Sequence, residues 1–140
     1  MAVHVLAVLA YKEGDRVTSG FLAGSVNTNP VIIRRLLLAL KRARLVETGK
    51  GAGSGSRLSR APARINLCEV YRAVEEAEAF AAPSRKPNEA CPVGNCIHNV
   101  LVNIFESAQQ AMERDLAKTT LANVLDTIKT SCGCATKVKK

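Results

Sequence analysis

"GKGAGSGSRLSR" fills residues 49–60. Four glycines stand among small and basic residues, and no carboxylate interrupts them. Such a stretch can cradle the phosphates of a nucleotide, or it can be a flexible finger that touches the phosphates of DNA. The flanks separate the two. A nucleotide loop follows a buried strand and opens a helix, so that helix N–H groups point at phosphate. Here "RLSRAP" follows, and Pro62 comes before any helical pattern. No Ser or Thr follows Lys50 in the place a phosphate-loop lysine requires, and "GAGSG" lacks the G-x-G-x-x-G spacing. On either side, "LVET" (45–48) and "SRLS" (56–59) instead read as short strands. Strand, glycine tip and strand make a β-hairpin, with glycines free to take positive φ.

Upstream of the hairpin the pattern is helical. Residues 3–11 read as a short apolar helix that ends at the turn signal "EGD" (13–15). Thr18 is placed to cap a second short helix running to about Ser25. Asn29 followed by Pro30 is a strong helix start, an acceptor and then a residue with no N–H to satisfy. Ile33, Leu36, Leu37 and Leu40 then form one buried stripe of a helix reaching about Arg44. Val31, Arg34, Arg35 and Leu38 fall on another face, which leaves the arginines free to reach outward. Helix, helix, turn, helix and glycine-tipped hairpin is the order of a winged helix-turn-helix, whose recognition helix enters the major groove by its N-terminal end.

Charge agrees with that order. The chain has 140 residues and a net charge of +8. Residues 34–64 hold nine Lys and Arg against one acid, Glu47, so this block alone carries +8 and the remainder sums to zero. A small chain with such a patch invites a polyanion, and double-stranded DNA is the expected partner. The first ten residues are apolar but lack the basic start and cleavage site of a leader. No apolar run reaches the ~18 residues of a membrane span. The expected location is therefore cytoplasmic, without a membrane partner, and the five cysteines are thiols or ligands rather than a disulfide framework.

Downstream, 66–76 reads as a helix with Leu67, Val70, Tyr71 and Val74 in register, and Cys68 on its inner face. Residues 77–95 carry three prolines and read as a linker. A long helix is expected over 96–116, with Ile97, Val100, Leu101, Ile104, Phe105, Ala108 and Met112 on one wide apolar stripe. A shorter helix over about 118–129 and a basic, flexible tail follow. The expected fold is mainly α with a small β-hairpin. It divides into a winged helix-turn-helix domain (1–76), the linker (77–95), dimerisation helices (96–130) and the tail (131–140). The stripe is wider than one short returning helix covers, so those seven side chains are the expected interface of a homodimer.

The residues "NPVIIRRLLLALKRARLVETGKGAGSGSRLSRAPARINLCEVYRAVEE", a cysteine near the start of the long helix and a late "TTLA" together resemble the IscR/NsrR/CymR (Rrf-two) family of bacterial winged-helix regulators. "NPV-x-x-R-R" and "NxxCPVG" are similar to its YwnA-like branch. The resemblance covers nearly the whole chain. It implies a homodimeric transcription regulator, acting as a repressor, held by the long helix and reading a roughly palindromic operator. Carried over position by position, it puts recognition-helix contacts on Asn29, Val31 and Arg34 and wing contacts on Thr48 and Lys50. Thr28, Arg35, Ser54, Ser56, Arg57 and Arg60 complete the expected DNA-binding set.

Members of that family that bind an iron-sulfur cluster use three cysteines spaced by about five residues at the start of the long helix. Cys91 and Cys96 fall in that region, but Val102, Asn103 and Ile104 occupy the third place. Cys132 and Cys134 add a C-x-C pair on the tail. Three readings stay open: the four thiols sense redox state, they bind zinc or a cluster, or they are ordinary thiols. No cofactor or metal is expected. Cys96, at the expected helix start, would have its pKa lowered there. His4 is expected at the edge of the core. No paired carboxylates and no Ser/His/Asp arrangement support an enzyme. The alternative from another class is a protein-interaction module that uses the basic hairpin and the long helix without specific DNA binding.

Overall fold

Helix starts in this chain are set by short polar side chains that take up orphan N–H groups of the first turn. The computed structural model describes residues 1–76, 78–82 and 84–132 and shows three such starts in the N-terminal half. Thr18 Oγ1 accepts the Phe21 N–H at 3.2 Å and opens α2 (Ser19–Val26). Asn29 Oδ1 accepts the Val31 N–H at 2.7 Å, with Pro30 in the first position of α3 (Pro30–Arg42). Asn66 and Glu69 cap each other's backbone at 3.0 and 3.1 Å to open α4 (Leu67–Val74). Each such cap is worth about 1 kcal/mol.

Helix α1 (Ala2–Tyr11) is apolar almost all round because it is the centre of the packing. It meets α2, α4, the second hairpin strand and the last helix. Val5, Leu6 and Leu9 from α1, Leu22 from α2, and Ile33 and Leu40 from α3 are fully or almost fully enclosed. Helix α3 stops at Arg42, two residues before the expected end. Arg44 takes a positive φ of 58° and the Leu45 N–H returns to the Leu40 carbonyl at 2.9 Å, closing the helix as a left-handed residue does.

Strands β1 (Val46–Gly49) and β2 (Gly55–Leu58) pair antiparallel, Val46 opposite Leu58 and Gly49 opposite Gly55. Val17 adds a bridge on the outer edge of β2, exchanging two backbone hydrogen bonds of 2.8 Å with Ser56. The hairpin is thereby stitched to the α1–α2 corner.

The long helix α5 runs Pro92–Ala117, so it starts at Pro92 rather than at Cys96 and takes in the end of the expected linker. Helix α6 runs Leu121–Cys132. Asn123 and Thr120 cap its start, and Leu121 is fully buried in the N-terminal core. Two backbone bonds, Leu67 N–H to Thr119 O at 2.9 Å and Leu121 N–H to Ile65 O at 2.8 Å, tie the turn before α6 to the start of α4. Ser131 and Cys132, expected in the tail, close α6, and the rest of that tail, Cys134 included, lies outside the described residues. No described helix is long and apolar enough to cross a membrane.

Candidate nucleic-acid interface

Helices α2 and α3 meet through a turn in which Asn27 takes φ 58° and the Thr28 N–H bonds to the Ala23 carbonyl at 2.9 Å. A small polar residue tolerates that left-handed geometry better than a branched one. The turn presents the first two turns of α3 to solvent. Asn29, Arg34 and Arg35 are exposed there, and Val31 is 50% exposed beside the exposed Ile32. Thr28 is half-buried. The buried stripe of α3 is Ile33, Leu37 and Leu40, so the polar and apolar faces divide as the periodicity predicts, with Leu36 half-buried at the boundary.

The wing stands beside α3. Lys50 and Ser54 are exposed at its tip, where Gly51 takes φ 69°. Thr48 is half-buried and accepts a hydrogen bond from Lys41 Nζ at 2.9 Å, which ties the wing to the end of α3. A groove of about 290 Å³ runs between α2, α3 and the wing, and Thr18, Ser19, Arg34, Lys41, Thr48 and Ser54 line it. The sequence predicts Thr18 only as a cap, and it predicts no contact for Ser19 or Lys41. The signal for them is the cap itself: it puts the start of α2 at the groove, and in helix-turn-helix proteins the first helix crosses the DNA backbone.

Three expected contacts have other partners. Ser56 is 3% exposed, with both its backbone groups taken by Val17, and beside its cross-strand partner Thr48 it lies in the wall of the groove. Strand alternation puts Ser56 on the face opposite Arg57. Arg57 is exposed but pairs at 3.0 Å with Glu47 directly across the hairpin, which offsets its charge. Arg60 folds back onto the α4 capping box, with its guanidinium 3.1 and 3.2 Å from Glu69 Oε1 and bonded to the Arg64 carbonyl at 3.3 Å. It holds the chain after the wing. His4, expected at the core edge, is exposed, its Nε2 3.1 Å from Ser25 Oγ.

Below the interface, α4 and α5 are joined by a polar cluster. Arg72 pairs with Glu113, whose carboxylate also accepts from Gln109 Nε2 at 2.9 Å, and Gln109 reaches Tyr71 Oη at 3.3 Å. The hydrogen bond from Arg72, then that from Gln109, holds the Glu113 pKa below the ordinary value. Phe80 stacks on Phe105, with centroids 6.1 Å apart, and covers part of the α5 stripe. Ile97, Leu101, Phe105, Ala108 and Met112 are half-buried, whereas Val100 and Ile104 are 50% and 54% exposed.

Of the cysteines, Cys68 is buried and Cys91, Cys96 and Cys132 are exposed free thiols. Because α5 begins at Pro92, Cys91 rather than Cys96 occupies the helix cap. Hydrogen bonds from the Gly94 and Val93 N–H groups lower the Cys91 pKa. Among the described residues no three His, Cys, Asp or Glu side chains converge. With Val102, Asn103 and Ile104 in the third place, Cys91 and Cys96 do not form the three-thiolate set that a cluster needs.

The chain matches the Rrf2 family, described as an iron-dependent transcriptional regulator, over residues 1–127. It is similar to YwnA of Bacillus subtilis (strain 168), named as an HTH-type transcriptional regulator, with 42% identity over 90% of this chain and 92% of that one. A solved structure described as a DNA binding protein is 41% identical, with a TM-score of 0.71 over 89% of this chain and 95% of the other. The fold also matches T. potens IscR at a TM-score of 0.68 and 21% identity, over 97% of this chain and 87% of the other. An exposed recognition-helix start, a basic glycine wing and these likenesses lead to one conclusion: the chain belongs to the Rrf2 family and is a DNA-binding transcription regulator of the winged helix-turn-helix type, not an enzyme.

Proposed function

We propose that the protein is a cytoplasmic repressor that binds a roughly palindromic operator as a homodimer. The observation that carries this is α5: it spans 26 residues without one buried side chain, and Val100 and Ile104 stand half-exposed on its apolar stripe. A second α5 crossing that stripe would cover it, and the two-fold axis would set two recognition helices on two half-sites. Asn29, Val31, Arg34 and Arg35 then face base edges. Arginine offers a bidentate pair to guanine, and Val31 offers an apolar contact to a thymine methyl. Lys50 and Ser54 face phosphates.

The exposed, low-pKa Cys91 favours a redox input. Peroxide would form an S–O bond on its thiolate as the O–O bond breaks and hydroxide leaves, giving a sulfenic acid at the start of α5.

Sedimentation and gel-shift titration on short genomic duplexes test the proposal, with the wild-type protein reduced and after mild peroxide, and with Ile104→Glu. The wild type is expected as a dimer that binds selectively and loses affinity on oxidation. Ile104→Glu is expected as a folded monomer whose operator affinity falls by about 100-fold or more, because the second half-site contact is no longer intramolecular. A wild-type monomer with full operator affinity would refute the dimer, and binding indifferent to peroxide would refute the redox input.

A further inference from the structure

Gly49 and Gly55 face one another across the hairpin, so one cross-strand pair carries no side chains. The slot is filled from outside the hairpin. Arg16, in the loop between α1 and α2, lays its side chain over the glycine pair, and its Nη1 donates to the Gly55 carbonyl at 3.3 Å. A Cβ on Gly49 would meet the Gly53 carbonyl oxygen first and that Nη1 at 2.7 Å, and a Cβ on Gly55 would stand 3.1 Å from both Arg16 Cβ and the Val17 carbonyl oxygen. Gly55 also takes φ 130°, which other residues rarely adopt. The root of the arginine is fixed by its neighbour Val17, which holds Ser56 by two backbone bonds.

A hairpin with two strands of four residues each needs a support beyond its own pairing. We infer that Arg16 is the positioning residue of the wing: clamped over the Gly49–Gly55 pair, it holds the tip so that Lys50 and Ser54 stand at a fixed place for a DNA phosphate. The inference rests on the reading of the wing as a DNA contact. It gives the two glycines a further role, since they leave room for the Arg16 side chain as well as for the close approach of the Gly53 and Val17 carbonyls.

The test is a double-mutant cycle on the full chain, with Arg16→Ala, Lys50→Ala and the pair, binding a short operator duplex by fluorescence anisotropy over a range of salt. In the wild-type background Lys50→Ala is expected to weaken binding about fivefold and to lower the salt slope by about one. With Arg16→Ala present, the same change is expected to cost less than about twofold, because an unsupported tip no longer delivers the lysine. Arg16→Lys keeps the charge without the planar fork and is expected to recover less than half of the loss. An equal cost of Lys50→Ala in both backgrounds, full recovery by Arg16→Lys, or unchanged binding by Arg16→Ala would each overturn the inference while leaving the DNA reading intact. Wild-type binding to duplex DNA with no salt dependence would overturn the DNA reading of the wing, and the inference with it.

Discussion

Helix α3 and helix α5 both carry an apolar stripe, and the two stripes have different fates. On α3, Ile33 and Leu40 are buried, and the helix packs against α2, α4 and β1. On α5, twice as long, no side chain is buried, although Phe80 and α4 lean against it. The N-terminal unit satisfies itself within one chain. The long helix leaves Val100 and Ile104 exposed, and a polar cluster links it to α4, which packs against α3.

The contrast can be broken most directly by truncating one side chain on each stripe. Leu40→Ala is expected to lower unfolding stability by about 2–5 kcal/mol, since a fully enclosed leucine leaves a cavity. Ile104→Ala, measured on protein diluted to the monomer, is expected to cost far less. Equal losses in denaturant titrations would mean that α5 is packed within the single chain after all.

A smaller effect sharpens the contrast within the N-terminal unit. Asn29→Ala removes the cap that opens α3 and is expected to cost about 1 kcal/mol of stability by thermal unfolding. It is also expected to weaken DNA binding, because the same residue stands at the exposed helix start. Lost stability with unchanged DNA affinity would confine Asn29 to capping.

The smallest expected effect lies at the link. Glu113 has a folded-state pKa below its ordinary value of 4.5, set first by the hydrogen bond from Arg72. A depressed carboxylate stabilises the fold above its unfolded pKa, and that contribution is lost as the pH falls through the folded value. Wild-type stability is therefore expected to fall more steeply than that of Glu113→Gln as the pH drops below 4.5. Parallel pH profiles would show that the Arg72–Glu113 pair contributes nothing to holding α5 on α4.

Much of the fold was legible because its signals are local. Thr18, Asn29 and Pro30 announce helix starts through their own chemistry, and the α3 stripe repeats at helical spacing within one segment. Element ends were less legible. The start of α5 at Pro92 was hidden in a proline-bearing stretch that reads as linker, although Pro at a first helical position is permitted. That shift moved the helix-cap cysteine from Cys96 to Cys91. The interface was legible as a basic block but not as individual roles. Ser56, Arg57 and Arg60 all sit in the basic stretch, and only their partners, Val17, Glu47 and Glu69, tell which of them are occupied elsewhere.

By itself the sequence determined the order of helices and hairpin, the apolar face of α3, the +8 of residues 34–64 and the absence of a third cysteine beside Cys91 and Cys96. These depend on spacing, capping and composition, which act over a few residues. Only the tertiary structure decided that Arg60 braces α4, that Leu121 of α6 enters the N-terminal core, and that Arg16 lies across Gly49 and Gly55. Those outcomes join residues far apart in the chain, and an arginine's reach carries no sequence period. Its partner is settled by which backbone and which carboxylate the packing brings within hydrogen-bonding distance.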